Sequence, residues 1–463
     1  MEKNLRKIDL IICLMIPALV LFSQETVNFL ATSFATSGTA TLQIIEIVIV
    51  GIAFYPVFIQ LLFRRKIMNA SLLSKIFFTC MMIFGLLFVG MTAYRIVTGN
   101  MNTGSFYLAR VVIETALIML TLDYFKVNPL SIIIGFILAL LTTTVGQYFI
   151  ILFGKGFIRG RGPILSNSVV YVTFTLMIIP LLWYFILNSN IKIKIALIGL
   201  YLLTIPPLLL AGSRSGFVLA LLISFLSILL FIQKRNVKAF FSYFGILFFS
   251  SLVPFIILLC LGSSLQLNEV ERSVSIPIST MNKVLPSQAK VSFKEMISFR
   301  QFSETSKQYV KKDKKTDYTI EVSNNQRKDW NQIAKNEIFE NLQTFLLGTG
   351  KNQIVTKQQK EQSPHNVVLQ YLLPFGLIGT IFAFGILFSP LVLVLKKGKT
   401  AIALMFMVHG AVLINGIVQP IYGWLVICLA ISSLSYAIYY LNQNENKGRY
   451  PHYQSIIGNM SKV

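Results

Sequence analysis

Three groups of residues in this chain have the types that do acid–base or anion chemistry. The first is Ser363-Pro364-His365-Asn366, an imidazole set at the start of a long apolar run. The second is Gly212-Ser213-Arg214-Ser215-Gly216, an arginine among small residues where another apolar run opens. The third is the basic segment Arg159-Gly160-Arg161-Gly162-Pro163, with Arg327 farther along the chain. Ionisable groups pressed against apolar segments are costly and mark functional sites. Ser363 suits an N-cap and Pro364 the first helical position, which predicts His365 in the first turn of a helix. The positive end of that helix favours the neutral imidazole that a general base needs, and its free amide groups also receive phosphate. A guanidinium presents a planar fork to anionic oxygen. His365 is therefore the candidate base, and Arg159, Arg161, Arg214 and Arg327 are candidate ligands for a diphosphate. The plainer alternatives are a histidine hydrogen-bonded at an interface and arginines anchored among lipid headgroups.

No metal or other cofactor is expected. An Asp-x-Asp pair at an outer membrane end is missing, so the usual oxygen ligands for a divalent ion are not supplied. Neither a phosphate-cradling glycine loop nor a nucleotide fingerprint occurs, which argues against ATP-driven work within the chain.

The elements that must position these residues are membrane helices. Of 463 residues, 55% are hydrophobic and 13% charged, with a mean hydropathy of +0.69. Apolar stretches near the spanning length of about 20 residues recur from end to end, and about twelve can be drawn, with eleven as the lower count. The first is not expected to be a cleaved signal, because no small-residue cleavage site follows it. The four cysteines, Cys13, Cys80, Cys260 and Cys428, all fall inside these stretches, which argues against a disulfide framework. The net charge of +23 is distributed by topology rather than gathered for nucleic acid. Lys3, Arg6 and Lys7 precede the first span, and alternate turns collect Arg64–Lys66, Lys126, Lys192 and Lys194, Lys234 and Arg235, and Lys396–Lys399. Both termini are then cytoplasmic. The turn holding Arg159 and Arg161, and the one holding Arg214, fall on the outer face against that preference. A bound anion explains this, as does headgroup contact.

Four regions follow: residues 1–262 with spans one to nine, an outer loop over 263–363, residues 364–441 with spans ten to twelve, and a cytoplasmic tail over 442–463. In the loop, Trp330, Ile333, Ala334, Ile338, Leu342 and Phe345 recur at helical spacing, which predicts one amphipathic helix ended by Leu347-Gly348-Thr349-Gly350. Such a helix lies on the bilayer or caps a cavity. Pro374 should kink the chain just before the tenth span. Arg110 and Glu114, one turn apart, should pair. With Glu46, Gln147 and His409 they suggest a polar cavity opening outward.

The chain resembles the O-antigen ligase and polysaccharide polymerase superfamily of bacterial envelope glycosyltransferases. The residues that carry the resemblance are Arg159–Asn167, Gly212–Gly216, Arg327-Lys328-Asp329-Trp330 followed by Leu347–Gly350, and Pro364-His365-Asn366 leading to Gly376-Leu377-Ile378-Gly379. They occur in the superfamily's order and span about Gly154 to Leu395. Two features depart from its pattern: Pro374 stands where an acidic residue is common, and the first motif lacks its asparagine-proline.

The resemblance implies an all-α, GT-C-like polytopic protein of the bacterial cytoplasmic membrane. It implies metal-independent, inverting transfer from an undecaprenyl-diphosphate-linked oligosaccharide to a sugar hydroxyl on the outer face. It gives His365 as base or acceptor-positioning group. The implied partners are that lipid-linked donor, membrane lipids, and flippase and chain-length regulator proteins; nucleic acid is not among them. Polymerisation of capsular or O-antigen repeat units is the leading expectation. A ligase delivering the glycan to lipid A core, protein or teichoic acid is the nearest alternative. Peptidoglycan polymerases share the plan but rely on a carboxylate in the outer loop. A lipid-linked oligosaccharide flippase would carry charge toward the midplane and needs no loop of this size.

The topology is open to direct labelling. A cysteine at Ser306, in a chain otherwise free of cysteine, should react with a membrane-impermeant maleimide in intact cells. Reaction only after the membrane is broken would reverse the orientation.

Overall fold

A computed structural model describes residues 7–21, 71–97, 104–153, 168–211, 216–232, 237–261, 270, 325–356, 361–418 and 425–446. These residues are mostly helical. In chain order the helices are α1 (Lys7–Leu21), α2 (Leu72–Val97), α3 (Gly104–Tyr124), α4 (Pro129–Phe153), α5 (Ser168–Asn188), α6 (Ile191–Leu210), α7 (Gly216–Phe231) and α8 (Val237–Leu261). Then come α9 (described over 325–338), α10 (Leu342–Leu347), α11 (Val367–Leu393), α12 (Lys399–Val418) and α13 (Leu425–Asn446). A two-strand antiparallel ladder, β1 (Ile354–Val355) with β2 (Glu361–Gln362), precedes α11.

Among the described residues, six helices are long and apolar enough to cross a membrane: those at Leu72–Val97, Pro129–Tyr148, Val169–Asn188, Ile191–Leu210, Val237–Ile257 and Val367–Lys396. Shorter apolar helices lie at Asp9–Ala18, Gly216–Phe231, Lys399–Ile414 and Val426–Leu441. This is the architecture of a mostly helical membrane protein. The expected second span, Thr41–Phe63, lies outside the described residues. The last helix runs to Asn446, past the boundary expected at 441.

By contacts the chain forms two compact units. One contains α5 to α8 and the part of α4 from Phe136 onward. Here α5 is buried from Val170 to Trp183, and the fully buried Trp183 has its ring 5.0 Å from that of Tyr201. The Tyr201 hydroxyl donates to Ser224 Oγ at 3.0 Å, tying α6 to α7. Asn190 opens α6, its side chain accepting the Ile193 N–H at 3.1 Å.

The other unit joins α1 (to Met15), α2, α3 and the start of α4 to everything from Glu321 to Asn446. At one end Asp123 accepts from Ser71, Ser74 and Tyr440, drawing together the ends of α2, α3 and α13. Asp9 accepts the Asn128 N–H at 2.9 Å, and the Tyr436 hydroxyl reaches the Val127 carbonyl at 3.0 Å. The expected Arg110–Glu114 pair forms, at 3.5 Å. His409 is fully buried and meets Ser435 Oγ at 2.9 Å, so it links α12 to α13. Gln147 is buried, and Glu46 lies outside the described residues.

The tenth span does not begin after Pro374. Helix α11 starts at Val367, passes through Pro374 and breaks at Gly376, whose φ of 62° no other residue type adopts cheaply. Pro374 has no N–H to give and Gly376 leaves the helical path, so carbonyls near the break lose their partners. Distant residues supply replacements. Thr349 donates to the Leu373 carbonyl from its backbone N–H at 2.7 Å and from its hydroxyl at 2.9 Å. Arg95, in the last turn of α2, donates to the carbonyls of Pro374 at 3.0 Å, Leu347 at 3.0 Å and Gly348 at 3.2 Å. Gly348 and Gly376 meet backbone to backbone: a Cβ on either would fall 2.4 Å from the other's nitrogen.

Replacing Gly376 with alanine therefore combines left-handed strain of about 1–2 kcal/mol with a backbone clash. Gly90→Ala in α2 meets open space and should be neutral or stabilising, by up to about 1 kcal/mol. Thermal unfolding of the purified protein in detergent should show a clear loss for Gly376→Ala alone. Equal melting temperatures would contradict the tight packing at the break.

Candidate active site

The loop segment before α11 is positioned by an apolar seam. Ala334 and Ile338 of α9 pack with Ile354 of β1 and with Leu369, Leu372 and Leu373 of α11, flanked by Trp330, Ile333, Phe345 and Leu377. Helix α9 thus spends its apolar stripe on α11 rather than on the bilayer. It also differs from the single helix expected over Trp330–Phe345. The chain turns after Ile338, and Asn341 starts α10 through a capping box in which its side chain accepts the Thr344 N–H at 2.8 Å. A side chain that satisfies free amides so well ends one helix and opens the next. Lys351 pairs with Glu337 at 3.2 Å and fastens the following loop to α9.

His365 lies between these elements. The expected Ser363 cap does not form, since Ser363 and Pro364 follow β2 directly in non-helical backbone. Asn366 is the N-cap of α11, accepting from the N–H groups of Val368 at 2.9 Å and Leu369 at 3.2 Å. The asparagine lies one residue beyond the histidine, so His365 stands just before the helix rather than in its first turn. Its backbone N–H donates to Asn331 Oδ1 at 3.0 Å. Its ring stacks on Trp330, with centroids 5.1 Å apart and planes 29° apart. Two residues of α9, Trp330 and Asn331, therefore hold the ring and the backbone of a residue 34 positions later. Ring atom Nδ1 is buried and has no hydrogen-bond partner among the described residues.

Burial pushes the imidazole pKa down from 6.5 to about 4, and the Arg327 charge on α9 adds to the effect. The ring is thus neutral at physiological pH for a reason other than the helix end: it is desolvated and has a cation nearby. A neutral imidazole with a bare nitrogen accepts a proton from a bound hydroxyl, and a guanidinium beside it offers charge to an anion.

Of the sequence-predicted residues, the structure brings His365 and Arg327 together. Arg159, Arg161 and Arg214 lie outside the described residues. Sequence reasoning did not single out Asn331, Arg95 or Gln370. The signal for Arg95 was present as a lone arginine inside the apolar run 72–97; asparagine and glutamine carry no such flag. No protein-family model matches the chain, and a search of curated proteins finds no match. The likeness to the ligase and polymerase superfamily accordingly rests on the residues that carry it.

The protonation state of His365 can be followed by NMR of ring-labelled histidine. Its midpoint should lie near pH 4, with the ring neutral above and charged below. Arg327→Gln should raise the midpoint, because a cation that disfavours imidazolium has gone, yet leave it below 6.5 because burial remains. A wild-type midpoint near 6.5 would mean that the ring is solvated and not held as described.

Proposed function

We propose that the chain polymerises undecaprenyl-diphosphate-linked oligosaccharide repeat units into a capsular or O-antigen-type polysaccharide at the outer face of the bacterial cytoplasmic membrane. The observation that carries this reading is His365: neutral, stacked on Trp330, with a buried unpaired Nδ1 and Arg327 close enough to depress its protonation. Glycosyl transfer from a lipid diphosphate needs that combination. The acceptor hydroxyl must lose a proton as its oxygen attacks the anomeric carbon, and the departing diphosphate must be met by positive charge. His365 takes the proton. Arg327 offers positive charge to the departing diphosphate, and the sequence makes Arg159, Arg161 and Arg214 further candidates for that role. Transfer with inversion follows from a single displacement on the face opposite the leaving group. The setting is a GT-C-like arrangement of about twelve spans at the usual bilayer thickness, with both termini cytoplasmic.

Loss of the gene should leave single repeat units on the cell surface in place of long chains. Long lipid-linked chains with no surface glycan would instead assign the ligase reaction, and units retained on the cytoplasmic side would assign a flippase. His365→Ala should insert and accumulate normally, since His365 precedes the span. Polymer formation should fall at least about a hundredfold, the usual minimum for losing a general base. Polymer of normal length and rate in that variant would remove His365 from the chemistry.

A further inference from the structure

The first turn of α11 carries a second unpartnered polar group, five residues after His365. With Asn366 as N-cap, His365 occupies the position before the cap and Gln370 the fourth helical position. Side chains at these two positions meet over the first turn of a helix, where apolar residues usually pack as a staple. Here both are polar. Gln370 is only 6% exposed, its backbone N–H making the first helical bond to the Asn366 carbonyl at 2.9 Å. Its side-chain Oε1 is buried and unpartnered among the described residues, as is His365 Nδ1. An unpaired buried polar atom is costly, and two in one staple are a standing demand for hydrogen-bond donors. Leu369, Leu372 and Leu373, its neighbours on α11, belong to the apolar seam and offer no side-chain donor.

We propose that His365 Nδ1 and Gln370 Oε1 form the acceptor-sugar subsite, receiving two neighbouring hydroxyl groups of one sugar ring. This rests on the polymerase reading for the identity of the acceptor. Each atom can accept a hydrogen bond from a hydroxyl, so a pair of adjacent hydroxyls matches the pair of acceptors. The hydroxyl on Nδ1 is the one that reacts: its oxygen bonds to the anomeric carbon of the donor, and its proton passes to His365. The carbon–oxygen bond to the diphosphate breaks, and the electron pair leaves on the diphosphate oxygen. The hydroxyl on Gln370 does not react; it fixes the ring so that the first one is aimed. Gln370 is thus a specificity-determining residue that selects a sugar over water as acceptor.

Two measurements test this on the full-length protein in detergent. In the wild type, the saccharide released from the lipid-linked repeat unit should shift the ring NMR signals of His365; no shift would overturn the subsite. With lipid-linked repeat units purified from a deletion strain, each donor consumed ends either as elongated chain or as hydrolysed free saccharide. Gln370→Met keeps the bulk but loses the acceptor oxygen, and should lower the ratio of elongation to hydrolysis by about tenfold. Gln370→Glu retains that oxygen and should keep the ratio above that of Gln370→Met. A purely structural role would lower both outcomes together and leave the ratio unchanged, which overturns the inference. Elongation by the wild type with an unchanged ratio in Gln370→Met defeats the subsite alone. Saccharide binding that needs Gln370, with no elongation by the wild type, defeats the polymerase reading alone.

Discussion

Arg95 holds the break in α11 open. Its guanidinium donates to three backbone carbonyls, two from the turn after α10 and one from Pro374. Hydrogen bonds to a charged group are stronger than neutral ones, and one Nη with two hydrogens is shared here among the three carbonyls. Without such a donor, the Pro374 carbonyl freed by the break at Gly376 would be stranded in an apolar setting. The same contact pins the glycine turn Gly348–Gly350 against the break, with Gly350 packed directly on the arginine side chain. Through that turn it fixes α10, and through the apolar seam it fixes α9. Trp330 and Asn331 then stand where His365 can use them.

The chemistry of the site follows from how that frame treats one imidazole. The described residues include a second histidine, His409, fully buried between α12 and α13 and joined to Ser435, whereas His365 is half-buried. Both residues are sheltered, yet they differ in access. His409 is sealed inside the helix bundle, whereas His365 stands ahead of a membrane helix, between a surface helix and a short hairpin. Burial keeps the ring neutral, Arg327 reinforces this, and the stacked indole sets its plane. In the proposed reaction such a base is weak by its pKa but fixed in position, and positioning is what the frame would contribute.

Much of the fold was legible in the sequence. Apolar runs of spanning length gave the helices, because backbone groups in lipid have no other economical arrangement than the helix. The spacing of Trp330, Ala334 and Ile338 gave α9, and the Arg110–Glu114 pair followed from helical periodicity alone. His365 and Arg327 were singled out because charge beside apolar sequence is conspicuous. Gln370 and Asn331 were not, since uncharged amides occur widely and acquire meaning only from what surrounds them.

By itself, the sequence determined that this is a multi-helix membrane protein and which ionisable residues stand near its apolar segments. Those properties are local, set by transfer free energy and by repeats of three or four residues. Tertiary structure decided the rest: Asn366 rather than Ser363 as cap, a helix that ends at Ile338 instead of continuing, and a break at Gly376 instead of a start at Phe375. The two helix ends turned on which neighbouring side chain caps, and the break on partners distant in the chain. Arg95 reaches a carbonyl 279 residues away, and Asn331 holds a backbone amide 34 residues on. Local pattern does not encode which distant carbonyl will lack a donor, so only the folded chain could place the histidine.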